Sequence, residues 1–485
     1  MLFPKKLYLL AFVSLLLRIF IACFLELGND EVYYVKYIEF LDFAYFDHPA
    51  LFAWLGNIST LSLHYNSEFF IRLFPLIFGF LNTFVIYKIT EKISNANAAF
   101  FSSILYNASI YASIISGIFF MPDFALSFFA LCFLYFSLQS IIQNQPKILL
   151  LSSIFLALAL ASKYQAAMFG FGLMIFILWK RKNWLRSKYI YIAFIIIFLG
   201  IIPTLYWNFQ NDFISFRFHS GRIEKSFEID NILRELFGQI FYNNPISWFL
   251  YIVLFIKIFR EKLWKNDVVI FLLLCSLPLI FIAFYLSFST ETFPHWSGIS
   301  YYSLMILTSI YLPKKYQKIP FFALIFTFFV MIVGFFEIQN GFFMNTKIKT
   351  QSVQKKGKHD FTQDTFGWEQ LGEKFAKIKS KYPEISLIAS HRWYPGSHLD
   401  FYVAKPNHLK TIVIGDTAAL HQYIFIQKNL HWKSNEKAFY ITSSNHYVSP
   451  NFLVQEFQVK PLDTIAIIRK NDTIRLHFVY KIIHR

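Results

Sequence analysis

The sequence predicts a mainly α-helical protein that crosses a membrane many times and ends in a small soluble α/β domain. Of its 485 residues, 56% are hydrophobic and only 15% are charged, whereas a soluble globular chain carries roughly 25% charged residues. The apolar runs are about 17–22 residues long, which matches spanning helices rather than the roughly ten-residue alternating strands of a membrane barrel. A lipid solvent therefore surrounds most of the chain, and helices satisfy their backbone hydrogen bonds there.

Eleven apolar runs are predicted to span the membrane. The first follows Lys5 and Lys6 and has the outline of a signal peptide. It is longer than a usual signal-peptide core, however, and no small-residue cleavage site follows it, so we expect a retained span. The predicted spans lie near residues 7–25, 69–89, 98–116, 124–142, 147–162, 164–179, 189–207, 245–260, 267–288, 297–312 and 319–338.

The basic residues of the loops set the predicted orientation. Because Lys and Arg concentrate in cytoplasmic loops, Lys5 and Lys6 place the N-terminus in the cytoplasm. When the sides then alternate, the most basic loops fall on the cytoplasmic side, which accounts for the net charge of +17 without nucleic-acid binding. These loops carry Lys88, Lys92, Lys147, Lys180, Arg181, Lys182, Arg186, Lys188, Lys257, Arg260, Lys262, Lys265, Lys314, Lys315 and Lys318.

An odd number of spans places the C-terminal tail on the outer side of the membrane. We predict two domains, a transmembrane module over residues 1–339 and an extracytoplasmic soluble domain over residues 340–485. Short mixed patterns at residues 385–389 and 411–414 indicate a small α/β domain. Cys23, Cys132 and Cys275 lie within apolar runs, so the tail has no disulfide and the compartment is not indicated.

The first outer segment carries two carboxylates where the first span leaves the bilayer. Asp30 and Glu31 follow Gly28 closely, and Tyr34 follows one turn later. A carboxylate near low-dielectric surroundings can have its pKa raised toward the working pH, which suits a general base. Alternatively, Asp30 caps the next helix, whose first turn favours negative charge. Spacing alone leaves both interpretations open.

Two polar positions lie at the outer ends of later apolar runs. Asp123 follows Pro122 at the start of a span, where proline suits the first helical turn and Asp123 could be a cap. Lys163 separates two apolar runs, and a lysine at this depth is costly unless it is paired or faces water. We expect either a contact with phosphate or a side chain that extends to the interface.

The remaining candidates are basic or aromatic. Trp207 leads into a loop with Arg217 and Arg222, whose guanidinium groups match phosphate geometry, although a solvated charged loop is the alternative. His295 could bind phosphate or move a proton, and the Pro and Trp beside it are also typical of an interfacial anchor. Arg18 lies inside the first span and needs a partner, for which we favour a structural ion pair within the helix bundle.

No short motif decides the chemistry alone, because the sequence has no P-loop, HExxH or CxxC motif and no histidine spacing typical of a metal site. The ordered set, however, resembles the family 39 glycosyltransferases, which include the dolichyl-phosphate-mannose–protein mannosyltransferases and the lipid A aminoarabinose transferases. A tail segment, Asp364–Trp368, is similar to a segment of bacterial members. The motifs in chain order are Asp30-Glu31, Tyr45-Phe46-Asp47-His48-Pro49-Ala50-Leu51, Pro122-Asp123, Ser162-Lys163-Tyr164, Trp207-Asn208 and Pro294-His295-Trp296.

The resemblance implies a GT-C fold and an inverting transfer of a sugar from a polyprenyl-phosphate carrier. Asp30 matches the family's catalytic or acceptor-contacting position, with Glu31 beside it. The aminoarabinose branch has Glu-Lys-Pro-Pro where this chain has Asp47-His48-Pro49-Ala50, so His48 replaces a lysine. Lys163 and Arg222 thereby become the better candidates for the carrier phosphate.

The remaining site residues are expected to contribute around these groups. Arg217, His48 and His295 are further candidates for the carrier phosphate, and Asp47, Asp123, Tyr34 and Trp207 are candidates for substrate binding. One carboxylate can deprotonate an acceptor hydroxyl while Lys or Arg stabilises the departing phosphate. No cofactor is required, although Asp30 and Asp123 would allow a divalent metal.

The expected location is the outer face of a bacterial cytoplasmic (inner) membrane, among its lipids. The acceptor, a lipid, glycan or protein, and the sugar, a hexose or pentose, are left open. The main alternative is a transporter or flippase of a lipid-linked sugar, which would place charges near the bilayer midplane and divide into two matching halves. A receptor or scaffold is a third possibility, but it would not need acids and bases clustered on one face.

Overall fold

A computed structural model describes residues 3–221, 227–345, 351–430 and 432–485. The chain forms two compact units. The first contains Met1–Cys23 and Leu41–Met331, and the second contains Phe24–Phe40 and Ile332–Arg485. The acidic segment that follows the first span therefore belongs to the same unit as the C-terminal tail.

The chain is mainly helical, as predicted. In chain order, the described α-helices are α1 (Lys5–Phe24), α2 (Asn29–Glu39), α3 (Leu51–Thr60), α4 (Glu68–Ile71), α5 (Leu73–Ile93), α6 (Ala96–Ala108), α7 (Pro122–Gln143), α8 (Leu149–Leu160), α9 (Ala167–Lys180), α10 (Lys188–Gln210), α11 (Ile214–Gly221), α12 (Ile229–Tyr242), α13 (Pro245–Arg260), α14 (Asp267–Leu274), α15 (Leu277–Leu286), α16 (Tyr301–Tyr311), α17 (Ile319–Asn340), α18 (Trp368–Lys379), α19 (Trp393–His398), α20 (Thr417–Leu420) and α21 (Tyr423–Ile426).

Six helical segments in the described ranges are long and apolar enough to cross a membrane, and α12 with α13, bent by 96°, would make a seventh. The predicted spans near 147–162 and 164–179 correspond to shorter apolar helices over Pro146–Leu160 and Tyr164–Lys180. The structure is therefore consistent with the predicted eleven spans but does not fix that number. The six segments are Lys5–Phe24, Leu73–Ile93, Pro122–Gln143, Lys188–Gln210, Asp267–Leu286 and Lys314–Asn340.

Local sequence explains where several of these helices begin. Proline occupies the first position of α7 and α13, where its missing N–H needs no partner. The side chain of Asn244 accepts hydrogen bonds from the first turn of α13, and Asn95 and Asn266 do the same for α6 and α14. These asparagines satisfy backbone donors that a helix start otherwise leaves open.

Arg18 is buried in the first unit without the predicted ion pair. Its Nη2 atom donates to Asn107 Oδ1 at 3.0 Å and to Ser113 Oγ at 3.2 Å, and in the described part of the chain no carboxylate pairs with it. A Cβ atom at Gly79 would lie only 2.8 Å from Nη1, and one at Gly117 only 3.1 Å from Nε. The ion-pair prediction is therefore wrong: neutral dipoles and two glycines accommodate the guanidinium group.

The second unit contains a five-stranded sheet, which confirms the predicted α/β tail. The strand order is β2-β1-β3-β5-β4, with β1, β2 and β3 parallel and β5 antiparallel to both of its neighbours. The β1 residue Leu387 lies opposite Lys410 of β2 and Ala438 of β3. The strands are β1 (Leu387–Ser390), β2 (Lys410–Val413), β3 (Lys437–Ser443), β4 (Phe457–Arg469) and β5 (Asp472–His484).

Candidate active site

A buried ion pair joins Lys163 and Asp123 in the first unit. Lys163 Nζ lies 2.6 Å from Asp123 Oδ2, and the two side chains are 4% and 1% exposed. Tyr111 donates its hydroxyl to the other carboxylate oxygen at 2.8 Å. The partner that the apolar position of Lys163 required is thus the aspartate of the Pro-Asp motif, and the side chain does not extend to the interface.

Tyr111 reaches this aspartate from an irregular segment of backbone. It begins a π-helical turn, Tyr111–Ile115, a form that is often found at functional sites. A Cβ atom at Gly298 would lie 2.4 Å from the Tyr111 ring, so the absence of a side chain at Gly298 lets the ring pack there. The ion pair therefore depends on parts of the chain far apart in sequence.

His295 is a third candidate residue near this ion pair, because the charges of Lys163 and Asp123 both act on its imidazole. Burial, together with the positive charge of Lys163, lowers its pKa to about 4, and the negative charge of Asp123 opposes this decrease only in part. His295 is consequently neutral at pH 7. It can donate or accept a hydrogen bond but does not supply the permanent positive charge of a phosphate-binding cation.

A second group of candidates lies in the loop around Asp47 and on α11 of the first unit. His219 Nε2 is 3.0 Å from the backbone oxygen of Asp47, and its ring lies 5.8 Å from the ring of Tyr164. His48 is half-buried and Arg217 is exposed on α11. Arg222 lies outside the described residues.

Trp207 has a hydrogen-bond partner that the sequence does not indicate. Its indole Nε1 donates to Asp42 Oδ2 at 2.7 Å, and Trp207 is buried. Asp42 in turn accepts, through its backbone oxygen, a hydrogen bond from Trp54 Nε1 at 3.0 Å. Trp207 therefore holds the loop around Asp42 in place, and substrate binding by it stays a prediction.

An apolar cavity of about 270 Å³ lies between α3, α8 and α10. Leu51 and Ala161 both line this cavity. The backbone N–H of Leu51 donates to the backbone oxygen of Ala161 at 2.9 Å. Ala161 precedes Lys163 by two residues in the sequence, so this part of the cavity wall is close in sequence to the buried ion pair. The lining residues are Phe43, Ala50, Leu51, Trp54, Ile154, Ala157, Leu158, Ala161, Ile196, Gly200, Pro203 and Thr204.

Asp30, Glu31 and Tyr34 lie in the second unit, on the first turns of α2. Glu31 is 2% exposed and accepts a hydrogen bond from the backbone N–H of Gly28 at 3.0 Å, as the acidic member of a capping box. Tyr34 is buried, whereas Asp30 is exposed. Of the two carboxylates, Glu31 has a local structural role and Asp30 is the exposed one.

The C-terminal part of the second unit holds α2 through a series of polar contacts. The backbone N–H of Leu27 donates to the Tyr402 hydroxyl at 2.7 Å, and Asn29 Oδ1 is 3.0 Å from His398 Nε2. At the far end of the helix, Lys36 Nζ lies 2.6 Å from an oxygen of Asp400. The helix that carries Asp30 is therefore fixed at both ends.

Two further carboxylates lie close to this helix. Glu26 accepts hydrogen bonds from the backbone N–H groups of Trp368 and Glu369 at 2.8 and 3.1 Å, and burial raises its pKa to about 7. Burial also raises the pKa of Asp364 to about 6, while Arg475 and a hydrogen bond with Asn29 oppose the increase. Both groups therefore titrate near neutral pH.

The sequence alone does not indicate that Glu26, His398 and Asp400 are neighbours of the acidic motif. No spacing rule relates residues 26–36 to residues 398–402, because these contacts form only when the tail folds. One signal is present in the sequence, since the Asp364–Trp368 segment resembles a segment of bacterial family members. Among the described residues, no group of three or more His, Cys, Asp or Glu side chains could hold a metal ion.

Comparison with known proteins bears on the family and the fold. A family model described as dolichyl-phosphate-mannose-protein mannosyltransferase matches residues 47–207, about a third of the chain. The predicted resemblance is confirmed. No curated protein matches the chain in a sequence search.

Solved structures extend the likeness to the whole chain. ArnT from Cupriavidus metallidurans, in the apo state, has a TM-score of 0.64 and 15% identity, with 97% of each chain covered. The same protein bound to undecaprenyl phosphate has a TM-score of 0.64, 14% identity and the same coverage. The oligosaccharyltransferase of Archaeoglobus fulgidus has a TM-score of 0.49 and 12% identity, with 90% of this chain and 67% of that chain covered. The ArnT likeness confirms the predicted GT-C fold of a multi-pass membrane protein.

Proposed function

We propose that the protein is an inverting glycosyltransferase that moves a sugar from a polyprenyl-phosphate carrier to an acceptor hydroxyl. The family match over residues 47–207 carries this proposal, because that segment includes Asp47, Asp123, Lys163 and Trp207 in the predicted order. The fold shared with ArnT, of which one structure is bound to undecaprenyl phosphate, supports it. We place the enzyme in a bacterial inner membrane with the N-terminus in the cytoplasm.

The reaction needs a base for the acceptor and a cation for the leaving phosphate. In our proposal, the exposed carboxylate of Asp30 takes the hydroxyl proton of the acceptor. The acceptor oxygen then forms a bond with the anomeric carbon while the bond from that carbon to the phosphate oxygen breaks. The electron pair leaves with the phosphate, and one displacement from the opposite face inverts the anomeric centre.

Lys163 is our choice for the group that stabilises the departing phosphate. Its ammonium group is buried and paired with Asp123, and low-dielectric surroundings strengthen its attraction for a second negative charge. The apolar cavity, whose lining residue Ala161 precedes Lys163 by two positions in the sequence, is lined by carbon-rich side chains, which suits an isoprenoid chain. The exposed Arg217, together with Arg222 and His48, would supply further positive or donor groups.

Substitution of Asp30 tests the proposal directly. The Asp30→Asn variant keeps the size of the side chain but removes the base, and general-base catalysis is worth about 10²–10⁴-fold. We expect a loss of that order in transfer from radiolabelled undecaprenyl-phosphate sugars to envelope acceptors, with binding of undecaprenyl phosphate unchanged. Glu369→Gln is the matched control, because Glu369 is also an exposed carboxylate in the first turn of a helix of the second unit.

Two results would contradict the proposal. Full transfer by Asp30→Asn would exclude Asp30 as the base. Movement of the carrier across the membrane by the wild-type protein, with no new glycosidic bond on any acceptor, would favour the flippase alternative.

A further inference from the structure

In the sheet of the second unit, the strand order reverses between the neighbouring parallel strands β1 and β3, and we call the space outside their carboxyl ends the crevice. The chain leaves β1 toward β2 on one side and later returns to β3 on the other side of β1. In open parallel sheets, ligands bind outside the carboxyl ends of the strands at such a switch point. The segments that follow β1 and β3 are therefore the first place to look for a ligand site in this unit.

Side chains from these two segments meet across the crevice. Tyr394 follows β1 and His446 follows β3, and their rings lie 5.2 Å apart in an edge-to-face arrangement. His391, directly after β1, has its Nδ1 atom 3.4 Å from the hydroxyl of Tyr440 on β3. Arg392 lies between His391 and Tyr394 and is exposed.

A third segment brings a lysine to the same crevice. Ser444, the first residue after β3, donates its hydroxyl to the backbone oxygen of Lys356 at 2.7 Å. Gly357 has a φ of +82°, and a Cβ atom there would lie 2.5 Å from the side-chain amide of Gln363. Glycine is needed at this turn. The turn carries the exposed Lys358, whose positive charge acts on His446.

The crevice has positive charge that is not neutralised by salt bridges. Within the described residues, neither Arg392 nor Lys358 forms a salt bridge, and the buried Tyr394 hydroxyl has no hydrogen-bond partner. Burial, with the charges of Arg475, Arg392 and Lys358, lowers the pKa of His446. The histidines are therefore neutral donors or acceptors, while Arg392 and Lys358 supply permanent charge.

We propose that this crevice binds an anionic group, of the phosphate or carboxylate class, carried by the acceptor of the transfer reaction. An arginine fork, a lysine and a tyrosine hydroxyl are donors that suit such a group. Its assignment to the acceptor rests on the proposed function and on Asp364, whose negative charge acts on Tyr394 and whose side chain is hydrogen-bonded to Asn29. Asn29 directly precedes Asp30, so the crevice and the proposed base are neighbours within one unit.

Chemical protection of Arg392 tests the site without any transfer assay. The full-length protein in lipid nanodiscs is treated with phenylglyoxal, and modification of the peptide that contains Arg392 is followed by mass spectrometry. We expect inorganic phosphate, glucose 1-phosphate or glucuronate to slow the modification several-fold, and neutral glucose to have no effect. Arg485, exposed in the same unit, should be modified at an unchanged rate.

Variants identify the residues that bind the anion. Loss of one hydrogen bond to a charged ligand should raise the anion concentration for half-protection about tenfold, and we expect this increase for both Lys358→Ala and Tyr394→Phe. Lys410→Ala is the control, because Lys410 is an exposed lysine at the opposite, amino end of β2. Protection by phosphate compounds alone, or by glucuronate alone, would assign the class of the anionic group.

The outcomes separate this inference from the proposed function. If none of the anions protects Arg392, the inference is overturned even if the wild-type protein transfers sugar. The same holds if the anions protect Arg392 in Lys358→Ala and Tyr394→Phe as well as they do in the wild-type protein. Protection without any sugar transfer would leave the site in place and remove the proposed function. If both hold, Arg392→Ala should raise the KM for the acceptor and leave the KM for the carrier-linked sugar unchanged; an unchanged acceptor KM would overturn the assignment to the acceptor.

Discussion

Lys163 and Asp123 show what the sequence can and cannot predict about single residues. Each was predicted as a candidate on its own, one for the carrier phosphate and the other for substrate binding. The cost of a lysine among apolar runs predicted that Lys163 needs a partner, but that partner lies forty residues away in sequence. Identification of the pair required the packing of α7 against the end of α8.

The ion pair permits a test that separates a functional role from a structural one. Lys163→Met leaves the Asp123 carboxylate buried without its cation, which should destabilise the protein by about 3–5 kcal/mol. Adding Asp123→Asn removes the unpaired charge, so the double variant should recover most of the thermal stability. We expect sugar transfer to stay lost in the double variant because the positive charge for the phosphate is missing.

Thermal unfolding in detergent and transfer rates in nanodiscs are measured on the same preparations. Lys147→Met is the control for lysine removal, since Lys147 lies in a predicted cytoplasmic loop and forms no salt bridge within the described residues. Recovery of both stability and transfer in the double variant would show that the pair is structural only.

Among the elements, α2 decides how the proposed base is presented. The sequence left open whether Asp30 caps this helix, and the structure gives the capping-box carboxylate to Glu31 instead. The contacts from Tyr402, His398 and Asp400 could not be predicted, because no local pattern encodes a partner more than 360 residues away.

His398 is expected to position α2 through its hydrogen bond with Asn29. His398→Ala removes this bond, and loss of one buried hydrogen bond of about 1.4 kcal/mol corresponds to about tenfold. We expect kcat for transfer to fall by that factor with little change in the KM for the carrier-linked sugar. Faster hydrogen exchange of the amides of residues 28–34 should accompany the loss.

His398→Gln provides the matched comparison, since its amide nitrogen can donate from nearly the same place as Nε2. This variant should restore most of the rate and of the amide protection. Equal behaviour of the alanine and glutamine variants would mean that the ring only fills space against Trp368, on which it stacks at 3.9 Å.

At the scale of the whole molecule, composition predicted the class of protein and the order of motifs predicted its fold. A low charged fraction with apolar runs requires lipid-embedded helices, and the confirmed GT-C fold follows the motif order. The predicted strand patterns at 385–389 and 411–414 overlap β1 and β2. β3, β4 and β5, and the placement of residues 24–40 with the tail, were not predicted because they depend on contacts between distant segments.

The orientation in the membrane is a prediction for the whole chain. Asn183→Cys lies in a predicted cytoplasmic loop and Ser352→Cys in the tail, each made in a background without the three native cysteines. A membrane-impermeant maleimide should label the tail cysteine in spheroplasts and the loop cysteine only after permeabilisation. Labelling of the loop in intact spheroplasts would reverse the predicted topology.

The second unit combines residues 24–40 with the C-terminal tail, and this has a consequence for biosynthesis. The α2 segment leaves the ribosome early, whereas Tyr402, His398 and Asp400, which hold it, come near the end of the chain. At roughly 5–20 residues per second, α2 waits on the order of tens of seconds for these partners. A nascent chain, or one truncated before residue 398, would therefore carry Asp30 on an untethered helix, and we expect the proposed transfer activity only after residues 398–402 have been synthesised.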